Sequence, residues 1–237
     1  MRQYPAKDGP FPVRLHFEPQ EMDDMCLQAL RDSKFLPSAP GPVRIDAFLE
    51  KHFGCPIDYD DFPPEILGCT EFTANGRVQR IAVARALADN PKDEVARRRL
   101  NATFAHEGGH ALFHASLFIT SGEQRSFASE NVDLEKRRIL CRPADFKVSG
   151  ATVRGPYRWW EYQANRAIGG FLMPQRLVFA ALEPLLQVSP ITQTPRLPRD
   201  DREKAARLLA EVFDVNPAAA RIRLAGLLPE DDEQGMF

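Results

Sequence analysis

The stretch FAHEGGHALFH, residues 104–114, sets His106 and His110 four positions apart. On a helix such residues share one face, one turn above the other. Both imidazoles can then be aimed at one point. Zinc takes nitrogen ligands at about 2.0–2.1 Å, so two histidines one turn apart supply half of a tetrahedral site. Glu107 follows the first histidine directly. Its carboxylate falls on the flank of the pair, placed to take a proton from water at the metal without ligating the metal itself. This is the HExxH arrangement of zinc peptidases. The motif also sits in an otherwise apolar helical run, where a buried His-Glu-His trio without a metal or other partners is costly.

His114 lies a further turn along the same face. It is too far to bind a metal together with the other two and is assigned to orienting a ligand or to packing. The extended metzincin pattern fails, because Phe113 and Ser116 stand where it needs glycine and histidine. Gly108 and Gly109 each cost a helix roughly 0.5–1 kcal/mol relative to alanine. Their expected use is to admit a backbone or a second helix close to the metal, or to relieve crowding in the core.

A third ligand is available in WWEYQANRAIGGFLMP, where Glu161 is the candidate. Glu161 could instead be a solvated helix residue. Its neighbours Trp160, Ala164, Ile168, Phe171 and Leu172 turn the helix inward, however, where an unpaired carboxylate is expensive. A carboxylate on a second helix completes a His₂Glu site and leaves the fourth position open for water. Asn165, one turn on, can steady Glu161 or another ligand.

The run RRRLNATFAHEGGHALFH followed by EYQANRAIGGFLMP resembles the ImmA/IrrE family of metallopeptidases, over about residues 43–187. The resemblance implies that His106, His110 and Glu161 are zinc ligands, with Glu107 the general base. It implies a zincin-like core, and as activity the regulatory cleavage of a partner protein such as a transcriptional repressor. The oxyanion of such a reaction needs a further donor. Tyr157, Tyr162, Arg158 and Arg142 are candidates among which the sequence does not choose.

The elements that must position these residues read as an α+β chain. An N-terminal extension, residues 1–42, begins proline-rich and irregular and carries one helix over 19–36. The metallopeptidase segment, 43–187, opens with a short helix that ends at Gly54. A small antiparallel hairpin over 66–85 follows, turning at Asn75-Gly76, the strongest short-range hairpin signal. An edge of that hairpin, if free, could bind an extended peptide by strand addition. The HExxH helix is expected to start at Asn90 as N-cap with Pro91 as first helical residue, and to run toward Phe118. Residues 120–156 read as an irregular polar excursion, before the Glu161 helix and a further helix opened by Pro174. A proline-punctuated linker and two helices that look like a helix-turn-helix make up 188–237.

Composition narrows the classes of function. Apolar residues at 43% and charged residues at 27% describe a chain able to bury a full core. A net charge of −2 gives no global attraction to nucleic acid or to an anionic membrane. The start, MRQYPAKDGPFP, lacks the apolar run of a signal peptide, so a cytoplasmic location and no membrane partner are expected. Cys26, Cys55, Cys69 and Cys141 form no CxxC pair and read as free thiols. DNA binding through the C-terminal helices is the first alternative, but Arg221 and Arg223 are accompanied by few residues suited to reading bases. A zinc-containing sensor or scaffold without catalysis is the second.

Overall fold

The computed structural model describes residues 1–6, 9–90, 92–120, 131–147, 158–188 and 193–230. It is a mixed α+β structure. Strands β1 (Arg2–Pro5) and β2 (Val13–His16) form an antiparallel hairpin in the stretch expected to be irregular. Helix α1 (Pro19–Asp32) starts with proline in its first turn, and the Glu18 amide donates to Glu21 at 2.9 Å, closing the N-terminus. It buries Met22, Cys26 and Leu30 on one stripe. Helix α2 (Ile45–Phe53) stops at Gly54, whose φ of 63° is left-handed.

A five-stranded sheet forms one wall of the site. Its members are β3 (Ile57–Asp60), β4 (Gly68–Phe72), β5 (Val78–Ala84), β6 (Val132–Asp133) and β7 (Arg138–Cys141), in the order β3-β5-β4-β7-β6. Only β3 and β5 run parallel. The hairpin β4–β5 forms around Gly76, as Asn75-Gly76 predicts. Neither of its strands has a free edge, because β3 covers β5 and β7 covers β4. Both edges of the hairpin are therefore occupied by neighbouring strands. The strands that do so come partly from residues 131–141, inside the stretch expected to be irregular.

Helix α3 (Glu94–Phe113) carries the HExxH motif. Its N-cap is Asp93, not Asn90. The Asp93 carboxylate accepts from the amides of Val95 and Ala96 at 2.8 and 3.3 Å, while the Asn90 carbonyl closes a turn onto the Asp93 amide at 3.0 Å. Pro91 lies outside the described residues. The helix ends at Phe113 rather than near 118, and a separate short turn, α4 (Leu117–Thr120), follows. The bend lets Phe118 stack on Phe72 of β4, with ring centroids 4.4 Å apart.

Helix α5 (Trp159–Leu172) crosses α3, and α6 (Gln175–Leu182) follows it. A short pair, β8 (Gln187–Val188) and β9 (Pro195–Arg196), leads to α7 (Arg202–Val212) and α8 (Pro217–Leu227). Asn216 caps α8 by accepting from the Ala218 amide at 2.9 Å, and Pro217 is its first residue. One apolar core includes Leu15 and Met22 near the start, Phe104 and Phe171 in the middle, and Leu209 and Leu224 near the end. Among the described residues, no helix is long and apolar enough to cross a membrane.

Candidate metal centre

The second half of α3 is enclosed on every side. Residues 103–111 are all buried, including His106, Glu107, Gly108, Gly109 and His110. Sheet, α2 and α5 each approach it closely, and the two glycines make two of those approaches possible. A methyl on Gly108 would come within 2.6 Å of Leu49 in α2. One on Gly109 would come within 2.9 Å of the Ala164 Cα in α5. The close approach of a second helix, expected from the sequence, is realised at Gly109. Gly108 gives up its side chain to the core.

That approach brings Glu161 from α5 against the histidine pair. Glu161 Oε2 lies 3.1 Å from His106 Nε2 and 3.5 Å from His110 Nε2, and the two Nε2 atoms are 3.1 Å apart. All three side chains are fully buried. They form the only group among the described residues that can hold a metal ion.

The surrounding hydrogen bonds decide which nitrogens carry protons. Asn165 donates from Nδ2 to the Asp145 carbonyl at 2.6 Å, so its Oδ1 faces His106 Nδ1 at 3.0 Å and accepts from it. Gln163 donates to the Leu15 carbonyl at 2.8 Å, so its Oε1 accepts from His114 Nε2 at 2.9 Å. His114 Nδ1 is then bare and accepts from His110 Nδ1 at 3.0 Å. Both histidines are therefore protonated on Nδ1 and present bare Nε2 lone pairs to the centre, as ligating imidazoles do. Both carboxylate oxygens of Glu161 are buried without a hydrogen-bond donor. Two lone pairs and an anion converge in an interior that gives them no donor. A divalent cation meets that need. A single added proton would leave part of the set unmet.

The charges at this centre act strongly on one another. Burial pushes the Glu161 carboxyl up, but the facing His110 and His106 outweigh it and hold the group below the ordinary carboxylate range. Burial lowers His110 and carries His114 down to about 3, so His114 stays neutral. Burial also pulls on His106, but Glu161 prevails and raises it.

The Glu107 carboxylate packs against β4. Thr70 Oγ1 donates to its Oε2 at 2.6 Å, whereas Oε1 is buried without a partner. A methyl on Gly68 would fall 2.5 Å from that Oε1, so the glycine makes room for the carboxylate. Burial raises Glu107 to about 8. A carboxyl that one hydroxyl steadies, with its other oxygen unengaged, is equipped to exchange a proton near neutrality.

Of the four candidate oxyanion donors, two contact Asp145. Arg158 pairs with Asp145 at 2.9 Å, and the Arg142 amide donates to the same carboxylate at 2.6 Å. Tyr162 is half-buried against the core. Tyr157 lies outside the described residues. Asp145 itself is fully buried, accepts from Asn131 as well, and is raised to about 6 by burial and then by the charge of Glu161.

Sequence reasoning missed Gly68, Thr70, Asp145 and Gln163. Only Gln163 left a signal, as a polar residue among Trp159, Trp160, Ala164 and Ala167 on the inward side of α5. In the C-terminal helices, Arg223 is buried on Asp23 at 2.7 Å, and Arg221 pairs with Glu203 at 2.7 Å. All four cysteines are free and buried. No family model matches the chain, and no curated protein matches it either.

Proposed function

We propose that this chain is a zinc-dependent endopeptidase with a zincin-like core, of the ImmA/IrrE kind, acting on a partner protein such as a transcriptional repressor. The observation that carries the reading is the convergence of two bare Nε2 atoms and an unbonded Glu161 carboxylate beside a separately held Glu107. His106, His110 and Glu161 would hold the ion. Zinc in a site of this kind supplies Lewis acidity, polarising a scissile carbonyl and making water acidic near neutral pH. Glu107 receives the proton of the attacking water on Oε1 and returns it to the leaving amine, while Thr70 fixes Oε2 and so the orientation of the carboxyl. Asn165 and His114 keep the two imidazoles in the ligating tautomer. Gly68 keeps the Glu107 carboxylate from being crowded off the sheet.

The test separates metal from chemistry. Candidate regulator proteins are incubated with the chain, with and without a chelator, and fragments are read by mass spectrometry. Zinc per chain is measured by elemental analysis. Glu107→Gln should keep about one zinc and lose about 10²–10⁴-fold in cleavage rate. A variant that loses its zinc, or cleaves as fast as the parent, overturns the assignment of Glu107. Zinc retained with no fragment from any partner would instead favour a metal-holding scaffold.

A further inference from the structure

A groove of about 630 Å³ runs between α3, α5 and α8. That size suits a small organic molecule. Its walls are partly apolar and include Val95 and Ile222, each 66% exposed to solvent. Four arginines also line it, Arg98, Arg99, Arg166 and Arg223, with no carboxylate among the lining residues.

The positive charge of this groove is not balanced. Arg98 is paired with Glu94 at 2.5 Å and with Asp214 at 3.1 Å. Arg166 and Arg223 share a single buried carboxylate, Asp23, at 3.8 and 2.7 Å. Arg99 has no carboxylate partner among the described residues. Arg223 is nearly enclosed, with its side chain 3% exposed. It donates to Asp23 from Nη1 and to the Met173 carbonyl from Nε at 3.1 Å, yet its Nη2 is buried without an acceptor. The Nε of Arg166 is in the same state. Buried guanidinium donors of this kind favour an oxyanion that can take two hydrogen bonds from them.

We propose that this groove binds a small organic anion, an acidic group carried on an apolar body. The acidic group meets Arg166, Arg223 and Arg99, and the apolar body lies against Val95 and Ile222. The inner end of the groove reaches Asn165 and Phe146. Both touch His106, Asn165 by its 3.0 Å hydrogen bond and Phe146 by ring packing at 5.2 Å. The occupant thus borders the metal centre, while its binding needs neither metal nor hydrolysis.

The probe is 8-anilinonaphthalene-1-sulfonate, an aromatic sulfonate, titrated into the full chain by fluorescence. N-phenyl-1-naphthylamine serves as its counterpart without the sulfonate. One saturable site per chain is expected. Arg99→Glu and Ile222→Glu, both at exposed positions, should each weaken the sulfonate by about tenfold or more. Lys204→Glu makes the same change of charge on α7, outside the groove, and should leave affinity within about twofold. The neutral amine should bind about tenfold more weakly. Equal binding of the two probes would show an apolar groove without anion recognition. Absence of a saturable site, or full affinity in both groove variants, would equally overturn the proposal.

Discussion

The two histidines of the centre are oriented by unlike arms. His106 leans on Asn165, which is anchored one step away on the Asp145 carbonyl. His110 is held through two successive side chains, His114 and Gln163, and that chain ends on the Leu15 carbonyl in β2. The long arm is wholly buried, whereas Asn165 is half-buried and borders the arginine-lined groove. Burial keeps water from competing with the bonds of the long arm. The short arm trades that protection for contact with a surface that a ligand can reach. The candidate metal centre is thus supported by β2 on one side and by the 131–147 segment on the other.

The largest effect should come from removing what both arms serve. Glu161→Ala deletes a proposed direct ligand and should weaken zinc by more than about 100-fold, beyond the roughly 10–100-fold typical of groups that only orient a ligand. Glu183→Ala, on the exposed end of α6, is the reference that should change nothing. Competition against a chelator of known affinity ranks these variants. If Glu161→Ala holds zinc as tightly as Glu183→Ala, the third ligand has been misassigned.

The comparison of the arms is sharpened by cutting each one. Asn165→Ala and His114→Ala should each lower zinc affinity by about 10–100-fold. The buried cut should also destabilise the fold more, since it strands both Gln163 and His110 in the core. Thermal unfolding without added metal reads the second effect. Equal destabilisation by the two variants would mean that the buried arm confers no extra order. Release of zinc by His114→Ala but not by Glu161→Ala would make His114 a ligand after all.

What was legible in the sequence is what chemistry and local geometry constrain together. The pair His106 and His110 needs only a helical period, and Glu161 needs only an inward helix. The β4–β5 turn and the Pro217 start of α8 are likewise local signals. The rest depends on pairing across the chain. Strand β7 forms because β4 offers its edge, and a stretch such as Arg137-Arg138 does not announce that. The β1–β2 hairpin hides in a proline-rich run for the same reason. At the start of α3, Asn90 and Asp93 are both competent caps three residues apart. Asp93 prevails because its carboxylate reaches two free amides. Gly68 and Thr70 lie in a short apolar run whose inward face cannot be chosen from the sequence. Which face meets Glu107 is settled by packing alone.

The smallest effect on the metal should come from the glycine that lets both arms meet. A methyl on Gly109 would stand 2.7 Å from the Ala167 Cβ, 2.9 Å from the Ala164 Cα and 3.1 Å from the Ala164 carbonyl oxygen. Two of those three atoms are backbone and cannot rotate away, so α5 must move. Ala164 lies between Gln163 and Asn165, and the shift therefore loads both arms together. Overpacking of this kind costs about 1–3 kcal/mol of stability. At Gly108 the added methyl would meet the end of the flexible Leu49 side chain at 2.6 Å. Repacking there is offset by the roughly 0.5–1 kcal/mol that alanine gains over glycine in a helix. Gly109→Ala should thus lower the unfolding free energy measured in denaturant, Gly108→Ala should stay near the parent, and zinc affinity should fall by less than about tenfold in either. If the two substitutions cost the same, the close contact between α3 and α5 does not limit how the arms are set.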